Sequence, residues 1–312
     1  MDFPFKLLPK TDFDVVGFGT NAVDFLIQVP NYPDYNSKIE LSQYTQAAGG
    51  EVASTMVGLR RLGLNTAYAG RFGDDAAGEF GLNSLTNEGV DTSLAERVTG
   101  ASTQIAFIVI DERTGERTVI WKRDRKLAYS EAEAPVEILA RTRVLHLTPH
   151  DAAACTRMAM EARRLGVIVS IDVDNVFDGI EELLAHVDIL IASADFPRKF
   201  LGTEDREESI RILSERFTAG VVGITIGEAG SRLFCGGQFI RTPAFGVPGG
   251  CKDTTGAGDA FRVGLLYGLL TGEPVESAAR IANAVASLKC RAVGARTGLP
   301  LVSEVRSLLE SA

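Results

Sequence analysis

The chain is poor in the residues from which disulfide frameworks and metal cages are built. Its 312 residues include four cysteines and three histidines. Cys155, Cys235, Cys251 and Cys290 stand far apart with no C-x-x-C pair, which points to a reducing compartment and away from a zinc site. His146, His150 and His186 lack metal-ligand spacing, and the expectation for them is ordinary packing. No uninterrupted apolar run reaches the roughly 18 residues of a membrane span. Met1 to Lys10 carries aromatic and proline breaks rather than a basic stretch feeding an apolar one, so no export signal is read there and the expected location is the cytoplasm. Dense basic runs are missing too. With Lys+Arg 32 against Asp+Glu 41, the net charge of −9 disfavours nucleic acid, whose binding rests on cations releasing counterions.

What is present is a globular α/β pattern: 45% hydrophobic and 23% charged residues, without repeats or linker-like segments, fit one large core. Asp14 to Gly19 reads as a first strand, and the alternation Val23, Phe25, Ile27, Val29 continues as strand rather than helix. Ile39 to Tyr44 is a second extended segment. Val52, Met56 and Leu59 share a helical face that Gly63 closes, and Asp75 to Gly89 reads as another helix. Thr103 to Ile110 and Arg117 to Trp121 flank a turn at Gly115, the pattern of a hairpin. From Val144 onward strands at 144–147, 167–171, 189–192 and 221–225 alternate with helices, and three helices end the chain at 257–270, 275–290 and 303–310. Such alternation predicts a mostly parallel sheet with helices on both faces, a three-layer sandwich, with the early strands as a small separate sheet or lid. The expected organisation is a single domain over 1–312 with lid strands within 22–47 and 100–125.

The chemistry concentrates in Asp253-Thr-Thr-Gly-Ala-Gly-Asp259, just before the apolar helical run Phe261, Leu265, Leu266, Leu269. The first N–H groups of a helix have no internal partners and the macrodipole makes that end positive, so an anion is favoured there. Gly256 and Gly258 allow close backbone approach to a phosphoryl group. A carboxylate at Asp259 would then stand where an attacking hydroxyl must lose its proton. A helix start with an acidic first turn explains the same residues without any chemistry. Gly17-Phe-Gly-Thr-Asn-Ala22 fits a dinucleotide-binding pattern, but the strand-like run after it argues against the helix that pattern must open.

The segment from Asp253 through Phe261 to Gly264 resembles the C-terminal motif of the ribokinase-like, or pfkB, carbohydrate kinases. The resemblance covers nearly the whole chain. Ala48-Gly49-Gly50, Ala69-Gly-Arg-Phe-Gly-Asp-Asp75, Thr225-Ile-Gly-Glu-Ala-Gly-Ser231 and the turn from Gly294 to Pro300 are similar to further family elements in the same order. It implies an ATP-dependent phosphotransferase acting with Mg²⁺, in which Asp259 is the base and Gly256, Ala257 and Gly258 form the anion hole. It implies that Asp24, with Asn21, binds substrate hydroxyls, that Gly49, Gly50 and Ser54 border the substrate, and that Thr225, Gly227, Gly230, Asn283 and Ala286 border the nucleotide. Asp253 and Thr255, with carbonyls near Val293 and Gly298, resemble a monovalent-cation site, so K⁺ activation is an expectation. Lid strands offer pairing edges for a homodimer.

The chain also departs from the family pattern. Ser54 stands where an Asn is common, Glu51 where a small or amide side chain is, and Ser193-Ala-Asp-Phe196 replaces Asn-x-x-Glu, with Asp195 a partial substitute for that glutamate. Glu51 reads either as a first-turn acidic residue or as a selector for an unusual hydroxyl pattern or a cationic group. The acceptor is therefore open among sugars, nucleosides and vitamin-like alcohols. A non-catalytic nucleotide- or sugar-binding regulator is the alternative from another class.

Overall fold

The computed structural model describes residues 1–311. The first third runs β1 (Phe13–Phe18), β2 (Ala22–Val29), β3 (Gln43–Gly49), α1 (Glu51–Arg61), β4 (Thr66–Gly73), α2 (Ala76–Asn87), β5 (Ala95–Val98), β6 (Ile105–Asp111) and β7 (Arg117–Lys122). The middle adds β8 (Thr142–Leu147), α3 (Ala152–Leu165), β9 (Ile168–Val173), α4 (Ile180–Leu184), β10 (Ile189–Ser193), α5 (Phe196–Leu201) and α6 (Arg206–Arg216). The last third is β11 (Val221–Thr225), β12 (Ser231–Cys235), β13 (Gln238–Thr242), α7 (Ala257–Thr271), α8 (Val275–Lys289) and α9 (Val302–Glu310).

Nine strands form one sheet in the order β13-β12-β11-β10-β9-β8-β1-β4-β5. It is parallel from β5 to β11, and β12 and β13 are antiparallel. The central strands are buried on both sides, so they read as continuous apolar runs, and successive residues feed opposite faces. Val15, Ile189 and Ile191 pack with α1, α7, α8 and α9; Val16, Leu190 and Ala192 pack with α3, α4 and α6. The result is the three-layer sandwich expected from the alternation.

β3, β2, β6 and β7 form the second sheet in that order, β2 antiparallel to β3 and parallel to β6, with β6 antiparallel to β7. This is the small lid sheet. The extended segment expected at 39–44 lies later, at Gln43–Gly49. The strand register separates two faces of the lid. Phe25 stacks on Tyr44 and Phe107 on the outer face, whereas Ala106, Ile108, Val119 and Trp121 turn toward the cleft between the two sheets. β1 leads directly into β2 without a helix, as the alternation after Ala22 requires and a dinucleotide-binding turn forbids. Among the described residues no helix is long and apolar enough to cross a membrane.

Candidate active site

A cleft of about 1000 Å³ lies between the lid and the ends of the central strands. Its floor is the entry to α7. Gly256 precedes the helix in the left-handed region at φ 76°, a conformation disfavoured for side chains bearing a Cβ, and no side chain caps this N-terminus. The positive end of α7 therefore opens on the cleft, flanked by Thr255, Gly256, Ala257 and Gly258.

Asp259 sits in the first turn of α7, only 8% exposed. Burial, then the neighbouring Asp172 carboxylate, push its acid up to about 8, against the pull of Arg262 and Lys289. Asp172, next to last in β9, is ion-paired with Arg262, whose Nη2 also donates to the Ile191 carbonyl at 2.8 Å. Arg262 lies one turn below Asp259 and so fixes the sheet side of the site. Burial raises Asp172 as well, to about 6, with Arg262 opposing.

Asp24, in β2, enters from the lid side and is 4% exposed. Burial lifts it to about 7, with the Arg296 guanidinium holding it down. A Cβ on Gly49 would collide with the Asp24 carboxylate, so glycine at that end of β3 is what gives Asp24 its place. Arg296 donates to the Gly49 carbonyl, to Ser54 Oγ at 3.2 Å and to Ser84 Oγ at 2.9 Å. It thus ties the lid hinge, α1 and α2 to the C-terminal turn. Ser54 is fully buried in this network and does not line the cleft. Asn21 is likewise set back, donating to Tyr68 Oη at 2.7 Å and to the Arg71 carbonyl at 2.9 Å.

Gly50 and Glu51 line the cleft. The Glu51 carboxyl, pushed well up by burial and by Asp174, Asp172 and Asp259, accepts from Thr20 Oγ1 at 3.3 Å and stands 3.8 Å from His150 Nδ1. His150 lies between the rings of Trp121 and Phe177, at centroid distances of 5.9 and 4.9 Å. His146, by contrast, is packed inside the sheet beside Ser170.

The other end of the cleft is bordered by Thr225, Gly227, Gly230, Asn283 and Ala286. Asn283 donates to Ser231 Oγ and the Ala279 carbonyl, both at 2.9 Å, which fixes its amide orientation. Ser193 and Ala194 also line the cleft; Asp195 does not, and its side chain is 70% exposed beside Arg198. Among the described residues no three His, Cys, Asp or Glu side chains are preassembled as a metal cage. Asp172 and Asp174 at the end of β9 form a sparse donor set, which fits a Mg²⁺ that keeps waters and arrives with phosphates.

Asp253 is fully buried; its Oδ1 accepts the Thr255 N–H at 2.8 Å and its Oδ2 the Gly294 N–H at 2.7 Å. The Lys289 ammonium, also fully buried, donates to the Asp253 carbonyl at 2.8 Å and lies 3.9 Å from Oδ2. Val293 and Gly298 belong to the adjoining turn, where a Cβ on Gly298 would strike the Lys289 carbonyl. A monovalent ion here would have to share its ligands with an ammonium.

Asp172, Asp174, Arg262, Lys289 and Arg296 were not read from the sequence as site residues. Asp172-x-Asp174 carries one usable signal: carboxylates at the carboxyl end of a buried parallel strand, where α/β ligands bind.

The fold matches Arabidopsis thaliana ribokinase complexed with ribose and ATP at a TM-score of 0.82, with 23% identity, covering 96% of this chain and 99% of that one. It also matches an adenosine kinase from Sinorhizobium meliloti at 0.81 and 22% identity, covering 96% and 100%. These matches define the fold as ribokinase-like. The chain belongs to the pfkB family of carbohydrate kinases, whose model matches residues 13–301. It is 31% identical to a fructokinase of Klebsiella pneumoniae over 85% of this chain and 92% of the other. It is 27% identical to a nucleoside kinase of Methanothermobacter thermautotrophicus, covering 94% of each.

Proposed function

We propose that this kinase transfers the γ-phosphoryl group of ATP to a hydroxyl, expected to be primary, of a sugar or sugar-like polyol, with Asp259 as the general base. The observation that carries the reading is the Asp259 carboxyl held in the first turn of an uncapped, glycine-opened helix inside a cleft that Asp24 enters from the opposite wall. Asp24 would accept hydrogen bonds from adjacent acceptor hydroxyls. N–H groups around Gly256 to Gly258 would hold the phosphoryl oxygens as charge develops. Thr225, Gly227, Gly230, Asn283 and Ala286 would border the nucleotide. Mg²⁺ arriving with ATP would be held by its phosphates and by Asp174, and would offset phosphate charge. The lid would shield the bound substrates from water. Its outer face, with Phe25, Tyr44, Phe107 and Ile120, is the surface on which a second copy of the chain would pair.

A second acceptor class is favoured by one observation. The ring cluster of Trp121, His150 and Phe177 on the cleft wall offers a face on which a nucleobase could stack. ADP release across ketoses, aldoses, nucleosides and pyridoxine separates the readings. A hexose or pentose as best acceptor supports the first, a nucleoside the second. ATP binding without ADP formation across the panel would overturn both in favour of a non-catalytic binder.

A further inference from the structure

We infer that the ammonium of Lys289 serves as a built-in monovalent cation, so that the α7 anion-binding turn is held in place without potassium. Asp253 opens that turn. Its two carboxylate oxygens each take one backbone N–H, from Thr255 and from Gly294, and so splice the turn into α7 to the C-terminal turn. Two amide donors do not neutralise a carboxylate that is fully out of water, and a buried charge of this kind needs a counter-ion.

Lys289 supplies it. It ends α8, its side chain has no exposure, and its ammonium reaches the Asp253 carbonyl at 2.8 Å and the carboxylate at 3.9 Å. The nearby backbone is folded tightly around it: Lys252 N–H donates to the Cys290 carbonyl at 2.8 Å, and Gly298 packs on the Lys289 carbonyl itself. A lysine ammonium is a compact point charge with rotatable donors, close to a potassium ion in charge and size. Carbonyl and carboxylate oxygens are the ligands either cation would take. With the ammonium tethered there, the enclosed space holds its charge already, and a second cation would meet like-charge repulsion.

Lys289 is thus a positioning residue. It acts through Asp253 on Thr255 and the Gly256 to Gly258 backbone rather than on substrate. The inference rests on the proposed phosphotransfer for its effect on rate, but its effect on ion binding can be read without turnover.

The test compares the full-length chain with Lys289→Ala and Lys289→Met, the latter keeping the volume of the stem. Each is assayed in choline chloride replaced stepwise, at constant ionic strength, by potassium, sodium or methylammonium chloride. ADP release gives the rate and thermal melting of the apoprotein gives an independent readout. The parent should show the same rate and the same Tm in choline and potassium. Both variants should lose about tenfold or more of the rate in choline through misplacement of the turn, and recover in potassium or methylammonium. Their Tm should rise in potassium relative to choline. A parent stimulated several-fold by potassium would overturn the inference. Variants that melt identically in every salt, or that stay unfolded in potassium, would overturn it too, since the cation would then not be replaceable. If no acceptor is ever phosphorylated, the kinase reading fails alone and the salt dependence of melting still decides this one.

Discussion

Asp259 is held in a state that favours one proton too many for its proposed task. Burial and the nearby Asp172 raise its acid from 3.8 to about 8, so at neutral pH it is largely protonated. The folded form therefore binds more protons than the unfolded chain between those two values, and this residue's contribution to stability falls as pH rises through that window. The base form of the folded protein grows only at the upper end of that window, around pH 8. The ascending limb of kcat/KM, which reports the free enzyme, is expected near pH 8, and Tm of the apoprotein is expected to decline across it; a pH–rate profile beside melting curves checks both. Asp259 itself was legible because its motif is contiguous. Its partners were not: Asp172 and Arg262 are ninety positions apart in sequence, and Lys289 and Arg296 look like any helix-end and turn cations until the fold buries them. His150 shows the same limit, since no spacing rule distinguishes a cleft-lining histidine from one packed inside the sheet such as His146.

At the scale of elements, α7 determines where the proposed anion site lies, and its position is set by close backbone packing. Gly264 faces Ala282 of α8 so tightly that a Cβ would strike its backbone, and a Cβ on Gly268 would lie 2.5 Å from Ala278 Cβ. Gly264→Val is expected to destabilise by about 1–3 kcal/mol through overpacking, and to lower kcat by moving the α7 N-terminus; urea unfolding and steady-state rates measure the two effects. The long helices and the alternating strands could be read from periodicity, because their buried faces repeat at 3.6 or 2 residues. Two short elements could not. β5, of four residues, and α5, of six, carry too few apolar positions to show a period. β13 follows the paired turn glycines Gly236 and Gly237 and was not read from the sequence. Asp75 stands where the sequence starts a helix; it caps α2 through Gly78 N–H at 2.8 Å and also receives the Thr103 hydroxyl at 2.6 Å, bracing the chain just ahead of lid strand β6.

For the molecule as a whole, the lid is a second sheet with two useful faces. The inner one meets the cleft, while the outer one exposes Tyr44 at 54% and Ile120 at 59%. If that outer face joins two copies, Ile120→Glu should shift the chain toward monomer while leaving the cleft side of β7 intact; light scattering across a concentration series reads the change. The layered architecture was visible in the sequence because parallel strands alternate with helices from Val144 onward. The acceptor was not, because the groups proposed to meet it, Asp24, Glu51 and the Trp121–His150–Phe177 wall, come to line one cleft only when one sheet closes over the other.

The central claim is that phosphoryl transfer runs through the Asp259 carboxylate, and Asp259→Asn tests it most directly, with the best acceptor from the panel and ATP affinity measured in parallel. The expected result is a loss of about 10²–10⁴-fold in turnover, unchanged ATP binding and a higher apoprotein Tm near pH 8. Turnover close to that of the parent would contradict the account.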